Sequence, residues 1–427
     1  MSKKITIPKV LGLVVLTAIL TVLGLNLFSA DDKKIRRKVE HRYGTSDPQF
    51  IGAMGALLGP PLMPGNRAET LVNGDRIFPA MLAGIRGAKR TITFETYIYW
   101  SGTIGKQFAD ALSERARAGV KVHILVDWAG SQKMDKDLQD EMQKAGVEIF
   151  KYHPLSWYSI DRLNNRTHRK LLIVDGALGF TGGVGIADEW NGNAQDENHW
   201  RDTHYRIEGP AVSQMQAAYA DNWMKVSGDV LHGDAYFPPI RADGPHLAQM
   251  FKSSIEGGAE STHLMYLLSI AAAEKSIDLS MAYFVPDDIA QEALVAAMKR
   301  GVKVRLILPG GKIDSKLVRS ASRARWGDIL RAGAEIYEFQ PTMFHCKVLV
   351  VDGLWVSVGS TNFDERSFRL NDEANLNVYN REFAAEQEAI FEQDLKRARR
   401  ITLQEWQDRP LREKAWEHFW ALFGSQL

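Results

Sequence analysis

From about residue 70 the chain alternates between two hydrophobic periods. Apolar residues at three- and four-residue spacing predict helices at Phe78–Ala88, Ile104–Ala118 and Met134–Lys144. Between them, short runs rich in Val, Ile and aromatic residues predict strands at Thr91–Tyr99, Val120–Val126 and Val147–Tyr152. Gly119 and Gly146 mark helix ends. The same order then returns. Helices are predicted at Thr262–Ala273, Ile289–Lys299 and Leu317–Arg331, with strands at Ser276–Phe284, Val302–Leu308 and Ala334–Phe339. Local wording repeats too: Ala118-Gly-Val-Lys-Val122 matches Arg300-Gly-Val-Lys-Val304, and Ala145-Gly-Val-Glu-Ile149 matches Ala332-Gly-Ala-Glu-Ile336. A repeat of about 180 residues is a domain duplication and not a solenoid. Alternating helices and strands argue an α/β fold, with a largely parallel sheet expected in each half.

The ends of the chain break this rhythm. Val10–Phe28 is 19 residues without a charge, long enough to span a bilayer. A cleaved leader ending at Ser29-Ala30 competes with an uncleaved anchor. Phe28 sits where a cleavage site prefers a small residue, so a single-pass anchor over residues 1–30 is expected. Three lysines precede the run and five basic residues follow it, which favours a cytoplasmic main domain at the inner membrane; Asp31 and Asp32 narrow that margin. Residues 31–65 read as a stalk and lead-in loop. Within it, Gly55–Gly65 is too rich in Gly and Pro for a regular helix or central strand, and its apolar residues are expected to pack on the domain. Residues 66–225 form the first half, 226–260 a Gly- and Pro-rich linker, and 261–427 the second half. The second half ends in an amphipathic helix whose stripe, Trp416, Phe419, Trp420 and Phe423, suits either packing on the domain or contact with lipid, and is expected to pack inward as core helices do.

Each half carries the same short motif. His168, Lys170 and Asp175 have the spacing H-x-K-x4-D, and His345, Lys347 and Asp352 repeat it. One such match is ordinarily a solvated strand end; two in matched settings point to one site built from two halves. Residues i and i+2 of a strand share a face, so each His points with its Lys. An ammonium beside an imidazole repels a metal cation and suits an anion, and no metal or cofactor is expected. Two pairs facing each other would cradle a phosphate: one His attacks phosphorus, the other protonates the leaving alkoxide, and the lysines stabilise the non-bridging oxygens. Asp175 and Asp352, five residues past their Lys, are awkward partners for the rings and are expected to anchor structure. Better orienting carboxylates follow each histidine, Asp202 by 34 residues after His168 and Glu373 by 28 after His345. Cys346, between His345 and Lys347, should point away from both and serve packing.

With these residues in place, the chain resembles the phospholipase D superfamily. Gly359-Ser-Thr-Asn-Phe-Asp-Glu-Arg-Ser-Phe368, Leu370-Asn371 with Glu373, Tyr283-Phe-Val-Pro286 and Glu95-Thr-Tyr-Ile98 are similar to its bacterial cardiolipin synthase branch. The resemblance implies a duplicated α/β sandwich with the active site at the interface of its halves. It implies a ping-pong reaction through a phosphohistidine, with His168 as nucleophile and His345 as general acid, then base. Lys170, Lys347 and Asn362 would bind the phosphoryl oxygens. The implied substrate is an anionic phospholipid in a membrane: two phosphatidylglycerols give cardiolipin and glycerol. One position departs from the family. Asn362 lies 17 residues after His345, and the same offset from His168 lands on Gly185, where the family usually has Asn.

Composition narrows the alternatives. With 53 basic and 52 acidic residues the chain has no electrostatic case for nucleic acid as partner. A single cysteine excludes an internal disulfide. Two basic stretches could meet an anionic headgroup: His153, Trp157, Tyr158, Arg162 and Arg166 before the first motif, and Lys312, Lys316, Arg319, Arg323 and Arg325 before the second. A solvated basic face explains the latter equally well. A hydrolase of the same superfamily and a non-catalytic lipid-binding module remain the competing functions.

Overall fold

The structure, a computed structural model, describes residues 35–154, 165–254 and 260–424, together with Thr17 and Thr21. Two mixed sheets face one another, one from each half. The first has seven strands in the order Arg67–Val72, Thr203–Glu208, Leu178–Gly182, Leu171–Val174, Thr91–Thr96, Lys121–Asp127 and Glu148–Tyr152. The second runs Met63–Gly65, Gly244–Ser253, Asn371–Tyr379, Trp355–Gly359, Lys347–Val351, Ser276–Met281, Lys303–Pro309, Glu335–Phe339 and Ala398–Ile401. The predicted helices and strands of each half are present with ends shifted by a few residues, except that the strand expected over Ser276–Phe284 stops at Met281 and a two-residue strand follows at Phe284–Val285.

The sheets are less parallel than expected. Within each sheet's main run, the strands joined by helical crossovers pair in parallel: Thr91–Thr96 with Lys121–Asp127, Lys121–Asp127 with Glu148–Tyr152, and their counterparts in the second half. The motif strands Leu171–Val174 and Lys347–Val351 pair antiparallel on both sides. The cause is local. Each motif Asp opens a three-residue hairpin loop with a glycine behind it, and all four residues lie at positive φ: Asp175 at 53°, Gly176 at 67°, Asp352 at 56° and Gly353 at 59°. Asp-Gly is among the best sequences for such a turn, and a tight hairpin can only join antiparallel strands.

The carboxylates of these aspartates do the anchoring expected of them. Asp175 accepts from the backbone N–H groups of Lys89, Arg90 and Thr91 at 2.7–2.9 Å. Asp352 accepts from those of Glu274, Lys275 and Ser276 and from the Thr45 hydroxyl. Each ties the far end of a motif strand to the start of its neighbour. Removing the Asp352 carboxylate strands several buried donors, so Asp352→Ala should lower stability by about 3 kcal/mol. Denaturant titration checks this, with KM of the folded fraction expected to stay unchanged.

One core cluster is shared between the halves. It joins Leu171, Ile173, Tyr205 and Ile207 of the first sheet to Val348, Val350, Val356 and Leu376 of the second. The helices Ala211–Ser227 and Arg381–Leu395 contribute Met215, Tyr219, Phe383 and Phe391 to it. Burying a common core fixes the two sheets against each other, and hence the two motif strands.

Three expectations about the flanking segments change. The lead-in loop contains a helix, Pro48–Leu58, with Asp47 capping Gln49 N–H and Pro48 in its first turn. Gly55 lies inside it. Its buried side, Phe50, Met54 and Leu58, packs on the second half; of the apolar residues in Gly55–Gly65, Leu58 and Leu62 pack there, while Leu57 stands exposed. The expected linker contains the ten-residue strand Gly244–Ser253, which pairs with Asn371–Tyr379 along its length. The C-terminal stripe does not pack inward as a whole. Trp420 touches the domain, while Trp416, Phe419 and Phe423 stand exposed. The expected anchor, residues 1–30, lies outside the described residues apart from Thr17 and Thr21. Among the described residues no helix is long and apolar enough to cross a membrane.

Candidate active site

His168, Lys170, His345 and Asn362 line one cleft at the junction of the two halves. The histidines sit just before the motif strands, and backbone pairing across the junction holds them there. The segment Arg166–Thr167 of the first half pairs in parallel with Asn371–Asp372 of the second, and His168 N–H donates to Asp372 O at 2.8 Å. The mirror arrangement holds His345: Phe344 bridges Arg201 in parallel, and His345 N–H donates to Arg201 O at 2.7 Å.

This pseudo-twofold exchange decides which carboxylate serves which histidine. The residue after Asp372 is Glu373, and its oxygens lie 3.0 and 3.1 Å from His168 Nδ1. The residue after Arg201 is Asp202, whose Oδ2 lies 2.8 Å from His345 Nδ1. Both orienting residues named from the sequence are therefore present, but each serves the histidine of the opposite half. The pairing expected within each half is overturned, because each strand-entry segment pairs across the interface.

With Nδ1–H given to a carboxylate, Nε2 of each ring is the nitrogen left for chemistry. Burial pulls the His168 pKa down to about 4 against the opposing pull of Glu373, so the ring is neutral near pH 7 and its Nε2 lone pair is available. His345 is also lowered, by burial and then by Lys347. Lys347 Nζ donates to His345 O at 2.8 Å and lies 3.2 Å from the ring nitrogens; Lys170 Nζ donates likewise to His168 O at 2.8 Å. Burial brings Lys170 down to about 7 and Lys347 down as well. A bound anion would reverse these shifts, since a negative neighbour favours the protonated forms. Burial alone would raise Glu373 and Asp202, yet both are held below the usual carboxylate range, chiefly by His168 and His345 respectively.

Glu373 is fixed further by the Ser360 and Ser367 hydroxyls and the Asn371 amide. Asp202 Oδ2 has a different companion: the Trp190 indole N–H donates to it at 2.9 Å. Trp190 also stands beside Gly185. A Cβ at Gly185 would lie 2.9 Å from Ile98 Cβ and 3.3 Å from the Trp190 ring, so Ile98 first, and the indole with it, leave no room for a side chain there. Asn362, at the equivalent position of the second half, keeps its amide in the cleft, with Oδ1 buried and unpartnered. The site therefore has one amide arm and one aromatic wall.

Several cleft residues were not singled out from the sequence as site residues: Tyr97, Trp190, Trp200, Ser367 and Arg366. The Tyr97 ring lies edge-on to His168 at 5.3 Å, and Trp190 and Trp200 flank His345 at 5.3 and 5.6 Å. Tyr97 and Tyr283 fall within the two short strings that carried the family resemblance; no spacing signal marked the tryptophans. Asp175 and Asp352 lie outside the cleft, at the opposite ends of the motif strands, about 15 Å away along the chain. Cys346 is buried in the shared core, where burial pushes its thiol up to about 12.

The basic residues before the second motif are mostly spoken for. Lys312 pairs with Glu197, Arg319 with Glu338, Arg323 with Glu417 and Arg325 with Asp288. Of the earlier stretch, Arg166 lines the cleft, while Trp157, Tyr158 and Arg162 lie outside the described residues.

A family profile described as "Cardiolipin synthase, PLD-like domain" matches residues 81–223 and 266–395. The chain is 34% identical over 362 residues to cardiolipin synthase 2 of Bacillus anthracis, covering 84% of this chain and 70% of that one. It is 35% identical over 361 residues to the probable cardiolipin synthase YwiE of Bacillus subtilis, covering 84% and 72%. Among solved structures, phosphatidylserine synthase of Haemophilus influenzae superposes with a TM-score of 0.67, covering 89% of this chain and all of that one. At 14% identity that likeness speaks for the fold alone.

Proposed function

The chain belongs to the cardiolipin synthase family of phospholipase D-like proteins, and from that premise we propose that it transfers a phosphatidyl group between two phosphatidylglycerols. The products are cardiolipin and glycerol. The observation that carries the reading is the crossed site: His168, Lys170 and His345 line one cleft, Lys347 lies 3.2 Å from the His345 ring, and each ring is held at Nδ1 by a carboxylate of the other half.

His168 Nε2 attacks phosphorus, and the bond from phosphorus to the glycerol oxygen breaks. His345 gives its proton to that oxygen, and glycerol leaves. The phosphatidyl group is then held on His168 through a P–N bond. The headgroup hydroxyl of a second phosphatidylglycerol loses its proton to His345 and attacks phosphorus. The P–N bond breaks, and both histidines return to their starting state. Lys170, Lys347 and Asn362 hold the non-bridging oxygens, where charge builds in both steps. Glu373 and Asp202 fix the tautomers and steady the ring that becomes charged.

The uncharged run Val10–Phe28 supports placing this chemistry at a membrane. Incubating the purified protein with vesicles of phosphatidylglycerol tests the reading. Cardiolipin and glycerol should appear in equal amounts. Phosphatidic acid without cardiolipin would show water as the acceptor and replace the transferase with a hydrolase.

A further inference from the structure

Nine large apolar side chains stand exposed among the described residues, and six of them share one corner: Leu317, Leu411, Trp416, Phe419, Leu422 and Phe423. All but Leu317 belong to the C-terminal helix Leu411–Ala421 or the turn after it. Apart from Trp420, which touches the domain, the helix is packed inside out for a protein surface. Its inward side presents Glu417, buried and paired with Arg323 at 2.8 Å and Arg409 at 3.2 Å. Its outward side presents Trp416, 53% exposed, and Phe419, 48% exposed. The outward rings pack on one another, with Trp416–Phe419 centroids 6.2 Å apart and Phe419–Phe423 centroids 5.6 Å apart. An ordinary amphipathic helix buries its aromatic face and exposes its charges. Here a buried ion-pair cluster holds the aromatic face outward, and such a patch marks an interaction surface.

Two placements identify what the surface meets. The first is the cleft. Trp420 packs on Val285, Val318 and Ala321, and so does Tyr283, a residue that lines the cleft. The second is the start of the described chain. Ile35 N–H donates to Glu260 at 2.6 Å, Glu260 lies 3.5 Å from His263, and His263 lies 3.4 Å from Asp287, two residues after Val285. The 34 residues that precede Ile35, including the uncharged run Val10–Phe28, thus join the fold beside the same corner. Lys316, next to Leu317, and Arg412, one helical turn before Trp416, are exposed and carry positive charge, which complements anionic lipid.

We propose that the outward aromatic face of the C-terminal helix docks on the bilayer surface and holds the cleft against its lipid substrate. Aromatic side chains favour the membrane–water interface, where a flat ring meets both headgroup and chain. This inference rests on the lipid-substrate reading, and the test separates the two. The full chain carrying Phe419→Cys is labelled with a fluorophore (Cys346 is buried and does not compete) and placed in vesicles of phosphatidylglycerol and phosphatidylethanolamine. Nitroxide-bearing lipids should quench the label at 419 and leave one at the exposed Asp137→Cys unquenched. The double variant Trp416→Ser, Phe419→Ser should lose about tenfold or more of its vesicle activity, yet match the parent on short-chain, monomeric phosphatidylglycerol. An unquenched label at 419, or energy transfer between labels on two copies in its place, would overturn the docking surface. Quenching at 419 in a protein that makes no cardiolipin from either substrate would support the surface and sink the transferase.

Discussion

His168→Ala should abolish turnover, by about 10⁴-fold or more, whatever alcohol leaves the phosphorus. No group in the cleft replaces an attacking nitrogen. His345→Ala should be about as slow on phosphatidylglycerol but should recover much of its rate on a diester whose leaving group needs no proton, such as p-nitrophenolate. The difference follows from their roles, because only the acid can be made redundant by a better leaving group. Rapid kinetics with the two substrates would read it directly. A recovery in His168→Ala and none in His345→Ala would reverse the assignment. The His168 pKa of about 4 adds a pH expectation. The ring must be neutral to attack, and its value in the free protein is lowered, so kcat/KM, which reports the free protein, should lose this limb only as the pH falls towards that value.

Glu373→Gln should copy the His168 phenotype, and Asp202→Asn the His345 phenotype, each with a loss of about 10²–10⁴. This correlation is the consequence of the crossed pairing. If each carboxylate served the histidine of its own half, Asp202→Asn would impair attack and Glu373→Gln would impair leaving-group protonation. Double-mutant cycles give a second check. His168 with Glu373, and His345 with Asp202, should be strongly non-additive, and the other two combinations nearly additive. Both substitutions keep size and polar contacts, and Glu373→Gln leaves Ser360 and Ser367 within reach, so the proteins should fold.

The sequence exposed the duplication, the motif residues and both carboxylates, since each depends on local spacing or on repetition. The crossing was not legible. It comes from two short backbone pairings across the interface, Arg166–Thr167 with Asn371–Asp372 and Phe344 with Arg201, and nothing in either segment names its partner. Other errors had readable signals. Asp175-Gly176 and Asp352-Gly353 are hairpin sequences that foretell antiparallel motif strands. Asp47-Pro48 is a helix start, and the helix behind it tolerates Gly55 because Phe50, Met54 and Leu58 are buried on the second half. Gly185 looked like a lost phosphate ligand. A side chain there would meet Ile98 at 2.9 Å and Trp190 at 3.3 Å, and that same Trp190 bonds Asp202, the carboxylate of the acid half of the site. The exposed stripe on the C-terminal helix also escaped periodicity, which reports that one face is apolar but not which way it turns.

The most direct test is to trap the covalent intermediate. The protein is mixed with phosphatidylglycerol, quenched in base to preserve phosphohistidine during turnover, digested and mapped by mass spectrometry. The phosphatidyl adduct should lie on His168 and be retained in Asp202→Asn while it is reduced in Glu373→Gln. An adduct on His345, or cardiolipin formed at full rate with no adduct on either histidine, would contradict the account.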